Sequence, residues 1–74
     1  MIRIRFKPLL DDKAFRERRK IILSEVVQES GISSATLSRI ANTPGYNATL
    51  ENINALCKYF ECYICDLLEF IKDD

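Results

Sequence analysis

The sequence predicts an all-α domain of five short helices behind one short N-terminal β-strand. Three observations lead there. Apolar residues recur at helical spacing, as in Leu50, Ile53, Leu56, Cys57 and Phe60. Residues that favour helix boundaries, Pro8, Gly31, Ser33 and Thr49, fall where those periodic runs begin or end. The stretch with period two is "IRIRF", Ile2 to Phe6, the pattern of a half-buried strand.

Taken in order, the strand covers Ile2 to Phe6. A first helix runs from Pro8 through Ala14 and Phe15 to about Arg18. Proline lacks an N–H that a first helical turn does not use, and the cations from Arg16 to Lys20 suit a helix C-terminus. Ile22, Val26 and Val27 follow at helical spacing, giving a second helix over Leu23 to Glu29 that Gly31 ends. Ser33 caps a third helix, Ser34 to Asn42, and "PG" at Pro44–Gly45 marks a loop. Thr49 caps a fourth, Leu50 to Phe60. A short fifth covers Cys65 to Ile71 and buries Leu67, Leu68 and Ile71. The expected core is Ile22, Val26, Leu37, Ile40, Ile53, Leu56, Phe60 and Leu67.

Seventy-four residues make one domain: a strand or arm over 1–7, a helical core over 8–71, and a helix-turn-helix at about 23–42. A chain of this size buries only about 60% of its unfolded surface, so little is left over for a concave pocket. With no histidine, no Gly-rich phosphate loop and no carboxylate pair in an apolar setting, catalysis is not expected. Neither a membrane-spanning run nor a signal-peptide core is present, and three cysteines are an odd number, so the expected location is cytoplasmic. Cys57, Cys62 and Cys65 are spaced C-x4-C-x2-C but have no fourth ligand, and no metal, cofactor or small-molecule ligand is expected.

The net charge of zero conceals an asymmetry. Residues 1–20 carry eight Lys/Arg against three Asp/Glu, whereas residues 46–74 carry two against six. One end is a basic pole that can meet a polyanion.

The stretch "ESGISSATLSRIAN", Glu29 to Asn42, shows where. A connection of about three residues containing a glycine forces the two helices to cross steeply, as in a helix-turn-helix. In the third helix Leu37, Ile40 and Ala41 share one face, while Ala35, Ser38, Arg39 and Asn42 fall opposite. Small polar groups around one long cation suit a major groove. Arg39 can grip a guanine with both ends of its fork.

On these residues, "VVQESGISSATLSRIAN" resembles the helix-turn-helix of Cro and phage-repressor (lambda-repressor-like) bacterial regulators. Val27, Gly31, Ile32, Ser33, Leu37, Ser38 and Ile40 carry the likeness, which extends over Pro8 to about Ile71 and is strongest to small stand-alone members. It implies a five-helix DNA-binding fold and a sequence-specific transcriptional regulator, expected to be a repressor. Its base-contacting positions fall at Ser34, Ala35 and Arg39, with Ser33 and Ser38 adjacent, and its phosphate contact after the recognition helix falls at Asn42. Two positions depart from the pattern. Leu23 replaces a polar residue that opens the second helix, and Ala35 offers only apolar contact, as to a thymine methyl. Arg18, Arg19 and Lys20, just before the second helix, are candidate phosphate contacts. Double-stranded DNA is the expected partner; the alternative is a protein-interaction module such as the antitoxin of a toxin–antitoxin pair. A lone strand in a helical chain leaves backbone groups unpaired, so a homodimer through Ile2 to Phe6 is expected as well; the alternative is an ordered arm lying on its own domain and paired with the C-terminal residues.

Overall fold

Phe6, read above as the end of a strand, is instead the first residue of a helix and one of the most deeply buried side chains. In the computed structural model, which describes residues 1–72, the order is β1 (Ile2–Ile4), α1 (Phe6–Glu17), α2 (Leu23–Ser30), α3 (Ser34–Asn42), α4 (Leu50–Phe60), α5 (Ile64–Leu67) and β2 (Leu68–Phe70). Five helices and a short N-terminal strand stand as expected. Pro8 lies within the first turn of α1, where missing N–H groups cost little.

The end of the chain differs from expectation. Its fifth helix is one turn, Ile64–Leu67, and Leu68–Phe70 is a strand antiparallel to β1, with Ile2 opposite Phe70, Arg3 opposite Glu69 and Ile4 opposite Leu68. The Arg5 N–H donates to Leu67 O at 2.7 Å and the Ile71 N–H to Met1 O at 2.8 Å. The spacing of Leu67, Leu68 and Ile71 fits a helix locally, but only an extended segment can satisfy β1's backbone. The premise of a strand left unpaired within its own chain is thereby overturned: β2 is the partner of β1. Cross-strand partners share a face, so Ile2, Ile4, Leu68 and Phe70 line one side of this ribbon, and Arg3 and Glu69 form an exposed ion pair on the other.

The core collects Phe6, Ile21, Val26, Ile32, Leu37, Ile40, Ile53, Leu56, Phe60 and Leu67. Seven of the eight residues read from the sequence are there. The exception is Ile22, which is 54% exposed, while Ile21 is buried. Ile22 is the N-cap of α2 in extended backbone, φ −95° and ψ 158°. Adjacent side chains there point to opposite sides, so the helical period cannot be carried back to it. Gly31 ends α2 at φ 78°, and its N–H donates to Val27 O at 2.9 Å. A Cβ at Gly31 would meet nothing within 4 Å, so the glycine answers to backbone conformation and not to crowding.

Candidate nucleic-acid interface

The site is built on α3. Ser33 starts it: the Ser33 Oγ accepts from the Thr36 N–H at 3.2 Å and donates to Thr36 Oγ1 at 3.0 Å. That hydroxyl is thus engaged in capping the helix. Leu37 and Ile40 anchor α3 in the core, while Ser34, Ala35, Ser38, Arg39 and Asn42 are exposed. The division of faces is the one the 3.6-residue period predicts.

Among the described residues, no acidic side chain pairs with Arg39. Its guanidinium stands out from a surface of small side chains. Asn42 is held at both ends: Nδ2 donates to Ser38 O at 3.0 Å and to Ser38 Oγ at 3.4 Å, and Oδ1 accepts from Lys7 Nζ at 3.0 Å. Lys7 was not singled out in the sequence. With the first helix read from Pro8, Lys7 falls in the arm; only the start of α1 at Phe6 puts this cation in a first helical turn, against the dipole.

The cations before α2 divide. Arg19 is committed within the protein: Nη1 and Nη2 donate to Glu25 Oε1 and Oε2 at 2.7 and 2.6 Å, and Nε donates to Glu17 Oε1 at 2.9 Å. Hydrogen bonds to Glu25 and then Glu17 raise the Arg19 pKa, and Arg19 in turn holds the Glu25 carboxyl below its ordinary value. The Glu17 carboxyl is lowered as well, by Lys13 first and Arg19 second. Arg19 therefore ties the end of α1 to the start of α2, a role the sequence reading did not give it. Arg18 and Lys20 are exposed, and no carboxylate pairs with them among the described residues.

The three cysteines are free, with Cys57 and Cys62 half-buried and Cys65 exposed. Among the described residues, no group of three or more His, Cys, Asp or Glu is gathered for a metal. None of the described helices is long and apolar enough to cross a membrane.

The family model of the Cro/C1-type helix-turn-helix DNA-binding domain matches residues 13–73. The chain belongs to that family. A relative in Bacillus subtilis (strain 168), the uncharacterized HTH-type transcriptional regulator YozG, is 33% identical over 57 residues, spanning 77% of this chain and 68% of that protein. No solved structure matches the chain. In this Cro/C1-type domain α2 ends at Gly31, and Ser33 caps the start of α3.

Proposed function

We propose that this Cro/C1-type domain is a sequence-specific transcriptional regulator that lays α3 in the major groove and acts as a repressor. One observation carries the reading: the unpaired guanidinium of Arg39 projects from an α3 face otherwise made of Ser34, Ala35, Ser38 and Asn42. Small neighbours let the helix backbone approach base edges, and a free fork can take both acceptors of a guanine. Arg18 and Lys20 supply charge for phosphates on the flank. The similarity to YozG, named a transcriptional regulator, supports the same reading. Repression needs nothing beyond occupancy of an operator, which a DNA-reading face supplies by itself.

One α3 covers only a few base pairs, too few to single out a site in a genome. A two-fold dimer whose α3 helices stand about 34–36 Å apart on one DNA face meets that need. The β1–β2 ribbon supports such a contact. Ile2 and Phe70, opposite each other on its apolar side, are 48% and 72% exposed. Leu50, 81% exposed, lies beside the same groove as Ile2. The decisive test is binding to random-sequence duplex over a range of salt, followed by selection of preferred sites. Steep salt dependence with a recovered consensus is the expected result. Absence of duplex binding at low salt would overturn the reading.

A further inference from the structure

Lys7 stands in the first turn of α1, which contains no acidic residue. A helix dipole disfavours a cation there, so the charge gains nothing from its own helix. Lys7 is exposed, and among the described residues no carboxylate pairs with it. Its ammonium instead reaches the last residue of α3, donating to Asn42 Oδ1 at 3.0 Å. An ammonium can only donate, so the amide oxygen must face it. The Asn42 Nδ2 is then turned inward to Ser38. The amide is engaged at both ends, whereas the ammonium keeps two further donors and its whole charge.

Arg39 and Asn42 are three residues apart and therefore neighbours on the helix surface. The Lys7 charge sits at the C-terminal edge of the face that carries Arg39. Beside it, Arg3, Lys7, Asn42, Thr43 and Gly45 line part of a shallow hollow of about 190 Å³. Arg3, a second side-chain cation of that hollow, is held loosely by Glu69 at 3.5 Å with both side chains about half exposed. Lys7 and Arg3 both contribute to the lining, so an anion entering this hollow meets positive charge. A phosphate of the strand that borders α3 is such an anion.

We infer that Lys7 contacts a DNA backbone phosphate and that Asn42 is the positioning residue that aims it. This rests on the reading of α3 as the recognition helix. It moves the phosphate contact from Asn42 to a residue thirty-five positions earlier in the chain, and it gives the first turn of α1 a place in the complex.

The test compares the full chain with Lys7→Gln, Lys7→Arg, Asn42→Ala and the Lys7→Gln/Asn42→Ala double variant on random-sequence duplex, between about 50 and 200 mM salt. Each phosphate neutralised contributes about 0.9 to the slope of log K against log salt. Lys7→Gln should reduce the slope by about that amount and weaken all sequences by the same factor, while Lys7→Arg keeps the slope. Asn42→Ala should weaken binding in the native background and add nothing to Lys7→Gln. Because Lys7 is exposed, its variants should melt with the native chain, which separates contact from folding. A full slope in Lys7→Gln overturns the phosphate contact while the DNA reading stands. Asn42→Ala costing the same in both backgrounds overturns the positioning role. A native chain with no salt-dependent duplex binding overturns both the inference and the reading beneath it.

Discussion

The ring of Phe6 meets the ring of Phe60 edge-on, with centroids 5.8 Å apart and planes inclined at 63°. One opens α1 and the other closes α4, and both are almost wholly buried. This contact ties the start of the helical core to its end.

Phe6→Ala should therefore destabilise the domain by about 3–5 kcal/mol, the range for emptying an aromatic core site. Small domains have little more than that in total. Thermal or urea unfolding measures it, and Phe6→Leu should recover much of the loss. A melting temperature that does not move in Phe6→Ala would show that the N-terminal segment is not packed against α4.

For recognition, Arg39→Ala should lower affinity for a selected site by about 1–3 kcal/mol and leave scrambled duplex much less affected. The comparison has to be made at one salt concentration. Equal losses on both kinds of DNA would make Arg39 a phosphate contact instead of a base reader.

Phe70→Glu tests assembly. Phe70 is 72% exposed at the apolar face of the ribbon, so the domain should keep its fold while a charge is placed in the proposed dimer contact. Sedimentation equilibrium should give a dimer for the native chain and a monomer for the variant. A native chain that stays monomeric at high concentration would remove the ribbon-mediated dimer.

The Arg19 cluster gives a pH dependence. Arg19 lowers the Glu25 carboxyl below its unfolded value, and the Glu17 carboxyl is lowered by Lys13 and Arg19. A depressed carboxyl contributes stability above its unfolded pKa and loses it as pH falls through the folded one. The melting temperature should fall as pH drops below about 4.3, the ordinary glutamate value. Arg19→Gln should lower it at neutral pH and flatten that acid response. The groups are exposed, so the effect should be modest and should shrink with added salt. An unchanged acid response in Arg19→Gln would mean that the Arg19 contacts contribute nothing to it.

The parts of this domain legible in the sequence are those set by local rules. Ser33 and Thr49 each cap the helix they were expected to cap, with the hydroxyl accepting from the N–H three residues on. The bounds of α3 and α4, and the inward turn of Leu37, Ile40, Ile53 and Leu56, follow from the same period. The misreadings came from contacts between distant residues. "LLEFI" has the spacing of a helix, yet its middle three residues, Leu68 to Phe70, form a strand because Ile2 to Ile4 lie against them. Phe6 alternates with Arg5 like a strand residue and yet turns inward to Phe60. In the candidate site, the faces of α3 could be read from the period, whereas the commitment of Arg19 to Glu25 and the reach of Lys7 to Asn42 are tertiary facts. No local pattern states which cation will find an acid.

The β1–β2 ribbon also sets an order of events. Its outermost bond, from the Met1 amino group to Ile71 O at 2.9 Å, joins residues 70 apart in sequence. Closing so long a loop costs more chain entropy than any helix pairing in the molecule, so the ribbon closes late in folding. During synthesis at about 5–20 residues per second, β1 waits roughly 3–13 s for its partner strand. Through that interval Ile2 and Ile4 have no β2 beside them, and Phe6 has no Phe60 until α4 is made. The nascent helices must remain soluble with that edge open. Alternating Arg3 and Arg5 with the isoleucines keeps charge on the waiting strand, as gatekeeper residues do beside unavoidable apolar stretches.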